Sequence, residues 1–324
     1  MFNWSDVKKI VVLQPENPDG DSVASALALE EILGDAGKEV TIYSYVHIPD
    51  YLRYITGQDR ITDEFPNNFD LCIIVDTVSG SLLENTLKGE RLNAINKKPL
   101  LVLDCHPVEN DLPLQHAEFY KGEGDVVATG EIVYQLAHKE GWQINQAAAT
   151  RIIEAILADT LGMTTEAVNS QTLRIVADML DAGAKMSDID TRRRKMMQKS
   201  PQLVTYKGRL LQRIEYLLDG KLAYVHIPWE EIEEFSPHYN PSMLALEELR
   251  NTSGVARSVA IKQYPDGKLT GKIRSNTPIA GELAAHFGGG GHAYAAGFKV
   301  TDWQIDDLKK ELVKHTEALL AQAD

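Results

Sequence analysis

The segment KIVVLQPENPDGDS, residues 9–22, contains the pattern that decides the fold of this chain. It opens with an uninterrupted apolar run from Lys9 to Leu13, passes through a polar turn with two aspartates, and leads into apolar residues at helical spacing from Ser22 to Ala36. The apolar run predicts a strand that is buried on both faces, and Gly37 marks the end of the helix. A buried strand followed by a helix is the repeating unit of a parallel sheet that helices cover on both faces.

The same kind of apolar run recurs at Leu71 to Val75 (LCIIV) and at Leu100 to Leu103 (LLVL), and a β-rich segment lies at Val40 to Tyr45. Further along, apolar stripes at helical spacing occur in residues 129–138, 146–157 and 170–180. We therefore predict an α/β fold in which residues 1–190 form an N-terminal domain on a parallel sheet.

A polar segment with the basic run Arg192 to Lys195 separates this region from a second set of elements, and we predict a linker at residues 191–205. Residues 206–324 are expected to form a smaller α/β domain. Strands are predicted at 210–217, 222–226, 255–263, 269–273 and 298–300, and helices at 279–287 and 305–320. Asp266-Gly267 between two of these strands predicts a hairpin.

Composition restricts the classes of function. The 324 residues carry a formal net charge of −14, which argues against a long nucleic acid as partner because such binding depends on clustered Lys and Arg. Two cysteines do not form a disulfide framework, and neither a signal segment nor a membrane span is evident. We expect a cytoplasmic protein without a membrane partner, with a homodimer as one option for its assembly.

Acidic residues follow three of the predicted strands: Asp19 and Asp21 the first, Asp76 the second, and Asp104-Cys105-His106 the third. Ligand sites of open α/β sheets form outside the carboxyl ends of the strands, so these residues should meet at one edge. Clustered carboxylates repel each other, and a divalent cation removes that conflict. Alone, each aspartate is more simply a turn or helix-cap residue; together, the three strand ends favour a metal site.

At this point the chain resembles the DHH phosphoesterase superfamily. Asn17-Pro18-Asp19-Gly20-Asp21-Ser22, Asp76, Asp104-Cys105-His106 and Asp159-Thr160 look like its four motifs, in its order. Gly288-Gly289-Gly290-Gly291-His292 followed by Ala295-Ala296-Gly297 resembles the signature of its C-terminal DHHA1 domain. The resemblance runs from residue 17 to 297 and is closest to the branch of nanoRNases and pAp phosphatases.

The resemblance implies two metal positions that share Asp76. One would use Asp19 and a histidine four residues before it, where this chain has Pro15, with Glu16 beside it as an alternative oxygen ligand. The second position would use the remaining ligand residues of the set. These are Asp21, Asp159 and the first histidine of the triplet, whose place Cys105 takes. Mn²⁺ or Mg²⁺ suits carboxylates, and Zn²⁺ or Fe²⁺ becomes an option if Cys105 ligates as a thiolate; a small buried residue without a ligand role is the alternative for Cys105.

The resemblance also implies roles for other residues. His106 and Asp76 are the implied catalytic residues, and His106 would face the substrate phosphate as a general acid or would be a structural histidine bonded to carboxylates. The residues implied to bind substrate are Arg274, Ser275, Gly288, Gly289, Gly290, Gly291 and His292.

We therefore expect a hydrolase of short oligonucleotides, linear dinucleotides or pAp-like nucleotides. The alternative is a weakly active or inactive nucleotide-binding relative, because two imidazole ligands are missing. A pyrophosphatase or polyphosphatase of the same superfamily is a third hypothesis, against which the glycine-rich C-terminal motif argues.

Overall fold

A computed structural model of the chain describes residues 3–106, 111–114, 116–291 and 293–321. The chain divides into two compact units, Met1–Gln198 and Lys199–Asp324. Within the described residues, no helix is both long enough and apolar enough to cross a membrane.

The N-terminal unit is built on a five-stranded sheet. Its strands are β1 Lys9–Leu13, β2 Glu39–Tyr43, β3 Leu71–Val75, β4 Leu100–Leu103 and β5 Ala117–Tyr120. They are all parallel, in the order β2-β1-β3-β4-β5. The three apolar runs of the sequence are strands at the predicted residues, which confirms the predicted fold class. The edge strand β5 was not predicted, because its half-exposed sequence AEFY carries no continuous apolar run.

Helices pack on both faces of this sheet. The helices of the N-terminal unit are α1 Gly20–Asp35, α2 Gly89–Ile95, α3 Thr129–Glu140, α4 Gln146–Asp159, α5 Ser170–Asp181 and α6 Met186–Met196. Alternate strand residues face two different cores: Val12 and Ile73 pack in one core with α1, α3 and α4, whereas Val11 and Ile74 pack in the other with residues around α2. Burial on both faces is the physical reason for the uninterrupted apolar runs.

Helix α1 is almost wholly buried over its first half, because it lies between the sheet and α4. Asp19 caps it: its side chain accepts the Ser22 N–H, and the Ser22 hydroxyl accepts the Asp19 N–H. The helix therefore begins two residues before the predicted start. Gly20 touches α4 closely, since a Cβ at this position would lie 2.6 Å from the Cβ of Ala158.

The C-terminal unit contains a six-stranded mixed sheet. Its strands are β6 Glu215–Leu217, β7 Leu222–Ile227, β8 Arg257–Gln263, β9 Leu269–Ser275, β10 Gly290–Gly291 and β11 Ala295–Val300, in the order β10-β11-β9-β8-β7-β6. Of the strand pairs formed by the described residues of this sheet, β7–β8 is parallel and the others are antiparallel. Its helices are α7 Pro201–Gln212, α8 Trp229–Phe235, α9 Pro241–Leu249, α10 Ala280–His286 and α11 Ile305–Ala321.

One prediction for this region was wrong. The strand expected over residues 210–217 begins only at Glu215, because Leu210 to Gln212 complete α7, whose buried residues Leu203, Tyr206 and Leu210 lie at helical spacing. Residues 191–205, predicted as the linker between the domains, include the end of α6 and the first turns of α7, and the boundary between the two compact units falls among them, after Gln198. Helices α8 and α9 were not predicted.

The contact between α1 and α4 can be tested at Gly20. Gly20→Ala should lower the free energy of unfolding by about 1–3 kcal/mol, because the added methyl overpacks the contact with Ala158. Gly34→Ala is the matched control in the same helix: nothing lies within 4 Å of its Cβ position, so it should stabilise the protein by about 0.5–1 kcal/mol. Urea denaturation followed by circular dichroism measures both, and equal effects would contradict this contact.

Candidate active site

The acidic residues identified in the sequence lie at one edge of the N-terminal sheet. Strands β1, β3 and β4 are parallel neighbours, so the loops after them leave from the same edge. Asp76 directly follows β3, and Cys105 lies two residues after the end of β4. The chain order reverses between β1 and β3, which is where open α/β sheets place their binding crevices.

Four side chains converge at this edge. One ligand atom each from Asp21, Asp76, Cys105 and Asp159 lies within 4.8 Å of all the others. His106 forms a second such set with Asp76 and Cys105. Asp159 reaches the edge from the last residue of α4, far along the chain from the strand ends.

The buried carboxylate of Asp21 is fixed by three donors. The Ser25 hydroxyl donates to Oδ1 at 2.8 Å, the Thr129 N–H donates to Oδ2 at 2.6 Å, and the Gly130 N–H donates to Oδ1 at 3.1 Å. The two backbone donors are the first residues of α3, whose amide groups have no partner within the helix and carry its positive dipole end. The start of α3 thus holds Asp21 at the edge.

Asp76 adopts a left-handed backbone conformation with φ of 61°, which is strained for a residue with a Cβ. Its N–H donates to the Leu103 carbonyl at 2.8 Å, and the Thr129 hydroxyl donates to its Oδ1 at 2.9 Å. Thr129 therefore contacts both buried aspartates, and it orients their carboxylates relative to each other.

The electrostatics of the cluster favour a bound cation. Burial, with the charge of Asp159 as the next cause, raises the pKa of Asp21 to about 7. Burial and the charge of Asp19 raise the pKa of Asp159 to about 6, and burial and Asp21 raise the pKa of Asp76 well above its usual value. Burial also raises the pKa of the Cys105 thiol. Three carboxylates and a thiol are a donor set that fits a divalent ion, whose charge would offset their repulsion.

His106 lies at the exposed side of the cluster. Its Nδ1 is 2.8 Å from Oδ1 of the buried Asp104 and 3.9 Å from Oδ1 of Asp76. The hydrogen bond to Asp104 is the main cause that raises the pKa of His106. Since Asp104 engages Nδ1, the other ring nitrogen, Nε2, is the one left for a substrate.

Apart from the shared Asp76, the described residues expected for the first metal position supply no ligand atom to the cluster. Within the described residues, Asp19 belongs to neither ligand set, and its Oδ1 accepts the Ser22 N–H at 3.0 Å. Glu16 does not turn toward the site: its Oε1 accepts the N–H groups of Asn85 and Thr86, both at 2.7 Å, and its Oε2 accepts the Asn85 amide at 2.8 Å. Pro15 is buried and offers no ligand.

Three of the predicted substrate residues of the C-terminal unit, Arg274, Gly288 and Gly289, lie at or beside a cationic sheet face. Lys272 and Arg274 share one face of β9, and the strand register adds Lys262 of β8 and Lys299 of β11 to that face. A groove of about 750 Å³ is lined by the three lysines together with Gly288 and Gly289. Burial and the neighbouring positive charge lower the pKa of Lys272 and of Lys262.

The other predicted substrate residues occupy different places. Ser275 is buried on the opposite side of β9, where its hydroxyl contacts Thr277. Arg274 lies beside the groove, and its guanidinium contacts the Met243 sulfur at 3.7 Å. Gly290 and Gly291 form the short strand β10 against β11. His292 lies outside the described residues.

The structure also reveals residues that sequence reasoning missed. Thr129 and Gly130 were visible only as the start of a helix, and Ser25 only as part of one. Lys262 and Lys299 gave no signal, because their shared face follows from strand register rather than from spacing in the sequence.

The pH dependence of stability tests the carboxylate cluster. Without metal, the raised pKa values mean that the folded chain holds protons that the unfolded chain releases above about pH 4, so stability falls as the pH rises toward about 7. Asp76→Asn removes one charge and should make this fall shallower. The change in the free energy of unfolding that Asp76→Asn causes should be more favourable at pH 8 than at pH 5, by about 1–2 kcal/mol.

Urea denaturation in the presence of a chelator measures this change. Asp63→Asn, at an exposed aspartate outside the cluster, should follow the wild-type pH dependence. An unchanged slope in Asp76→Asn would show that Asp76 is not in a repulsive cluster.

Cobalt binding tests the position of Cys105. A thiolate ligand to Co²⁺ gives a near-ultraviolet charge-transfer band, and we expect this band in the wild type and its loss in Cys105→Ser. Cys72→Ala, at the other cysteine, should keep the band, because Cys72 is buried inside β3. A band that persists in Cys105→Ser, or a wild type without one, would exclude Cys105 as a ligand.

Each of the two units contains a region that matches a known protein-family model. Residues 9–162 match the family model described as the DHH family, N-terminal domain, and residues 221–322 match that of the DHHA1 domain. A bifunctional oligoribonuclease and PAP phosphatase, NrnA, of Bacillus subtilis is 23% identical, over 92% of this chain and 91% of that protein.

Two further proteins are similar. The A-adding tRNA nucleotidyltransferase of Aquifex aeolicus is 26% identical over 94% of this chain, which spans only 35% of that relative's length. A crystal structure of an exopolyphosphatase-related protein from Bacteroides fragilis has the same fold, with a TM-score of 0.78, 21% identity, and coverage of 98% of this chain and 95% of that one. Residues 9–162 are therefore a DHH-family N-terminal domain, and residues 221–322 are a DHHA1 domain.

Proposed function

We propose that this chain is a metal-dependent phosphoesterase that hydrolyses short oligonucleotides, linear dinucleotides or pAp-like nucleotides. The observation that carries the proposal is the convergence of Asp21, Asp76, Cys105 and Asp159 within 4.8 Å at the sheet edge. The relative from Bacillus subtilis, named for oligoribonuclease and PAP phosphatase activities, supports this class of substrate.

These four residues would hold one divalent cation. Mn²⁺ or Mg²⁺ suits the carboxylates, and the thiol of Cys105 extends the choice to Zn²⁺ or Fe²⁺. When bound, such a cation supplies positive charge to phosphate oxygens and lowers the pKa of water. Ser25, Thr129 and Gly130 keep Asp21 oriented for this task.

His106 would supply the proton for the leaving group. Asp104 orients the ring through Nδ1, which leaves Nε2 to donate to the departing oxygen. The raised pKa of His106 keeps a larger share of the imidazole protonated near neutral pH, as a general acid requires.

The cationic face of the C-terminal unit would bind the phosphates of the nucleotide. Lys262, Lys272, Arg274 and Lys299 place four positive charges on one sheet face, and Gly288 and Gly289 let an anion approach the backbone closely. This charge is local in a chain with a net charge of −14, so it suits a short substrate better than a long nucleic acid.

A second candidate function is nucleotide binding with weak or no hydrolysis. It is favoured by the residues around the first implied metal position: Pro15 cannot ligate, Glu16 binds the turn at Asn85, and Asp19 lies outside the cluster. Among the described residues, four ligand atoms come together at only one of the two implied metal positions.

Turnover of a short RNA and of pAp with added Mn²⁺ tests the proposal. His106→Gln should lower kcat by roughly 10²–10⁴-fold with little change in KM, because it removes the proton donor. Arg274→Gln should instead raise KM by roughly 10- to 150-fold, because a charge-assisted contact to phosphate contributes about 1.5–3 kcal/mol.

Two exposed residues serve as matched controls. His47→Gln and Lys310→Gln should leave both constants unchanged. A wild type that binds these nucleotides by calorimetry but does not hydrolyse them would reject the enzyme and favour the second candidate.

A further inference from the structure

Three metal-ligating side chains meet on the helical side of the C-terminal unit, in a different part of the chain from the DHH cluster. His286 is the last residue of α10, whereas Glu311 and His315 lie four apart on α11. A spacing of four places two side chains on the same face of a helix. The end of α10 and one face of α11 therefore contribute to one cluster, which we call the His–Glu–His triad.

The distances between the side-chain nitrogen and oxygen atoms of the triad are short enough for all three residues to contact one ion. Nε2 of His315 is 3.1 Å and Nε2 of His286 is 3.5 Å from the same oxygen, Oε1 of Glu311. One ligand atom from each residue lies within 4.8 Å of the other two. The imidazole centroids are 3.2 Å apart, so two protonated rings would repel each other strongly, whereas neutral rings are the form that binds metal.

We propose that His286, Glu311 and His315 bind a divalent transition-metal ion, with Zn²⁺ as the best fit, that joins α10 to α11. Two imidazoles and one carboxylate are a donor set that zinc proteins use, with water in the fourth position. All three side chains are partly exposed, at 37%, 27% and 29%, which allows an ion and its water to reach them.

Packed aromatic side chains adjoin the triad, and one exposed lysine competes with an ion for the Glu311 carboxylate. Phe287, next to His286, stacks on Phe298 at a centroid distance of 4.6 Å and contacts Trp303. Lys314 approaches Oε1 of Glu311 at 3.4 Å, but its side chain is 72% exposed. Exposed ion pairs contribute little stability, so an ion can displace this lysine at small cost.

The position of His286 indicates what the ion would do. His286 is followed by Phe287 and then by Gly288, whose backbone lines the cationic groove. An ion at the triad would fix the end of α10 where the glycine segment begins. We assign it a structural role, as a clamp between two helices rather than as part of the reaction.

Zinc binding by the full-length chain tests the proposal, in an Asp76→Asn background that removes the shared residue of the DHH cluster. The probe is Zn²⁺ alone, and the readouts are bound zinc per chain by elemental analysis and the zinc-induced rise in Tm. His286→Gln combined with His315→Gln should lose one equivalent of zinc and the associated rise in Tm. His238→Gln, at an exposed histidine of the same unit, should retain both.

A measurement on the unmutated chain keeps the proposal testable if the double variant does not fold. In a zinc titration followed by the histidine ring resonances, those of His286 and His315 should shift and saturate at one equivalent. The single substitutions His286→Gln and His315→Gln identify these resonances. Zinc binding that is equal in the double variant and in the His238 control, or ring resonances of His286 and His315 that do not respond, would overturn the proposal.

Discussion

The candidate site of the N-terminal unit depends on holding several carboxylates close together at a largely buried edge of the sheet. Asp21 and Asp76 are buried, and the charges of Asp21 and Asp159 raise the cost of ionising Asp76. The fold offsets part of this cost with donors: the first two backbone amides of α3 and the hydroxyls of Ser25 and Thr129. The remaining repulsion is what a divalent cation would relieve, so an arrangement that is unfavourable without metal would favour metal binding.

Sheet topology delivers these groups to one place. The order β2-β1-β3-β4-β5 makes β1, β3 and β4 parallel neighbours, so residues distant in sequence leave the sheet at one edge. The left-handed backbone at Asp76 turns the chain sharply there and is fixed by its bond to Leu103. The close contact of Gly20 with Ala158 then brings the start of α1 against the end of α4, which carries Asp159.

The C-terminal unit places the opposite charge on a sheet face. Alternation along β9 directs Lys272 and Arg274 to one side, and pairing with β8 and β11 extends that side with further lysines. The other side of the same strands packs against α10 and α11 through Ile273 and Phe298. One sheet thus presents a cationic groove on one face and supports the helices that carry the His–Glu–His triad on the other.

The sequence by itself determined the buried strands and the strand-end aspartates, because a strand covered on both faces must be apolar throughout and a parallel sheet brings its carboxyl ends together. It also named the four residues whose ligand atoms meet. Only the tertiary structure decided that Asp19 and Glu16 accept backbone N–H groups outside the cluster, and that Thr129 orients two aspartates. It alone also decided that four basic side chains share one face of the C-terminal sheet, and that His286 contacts α11. Each of these depends on where a side chain points between elements distant in sequence, and local periodicity carries no information about such contacts.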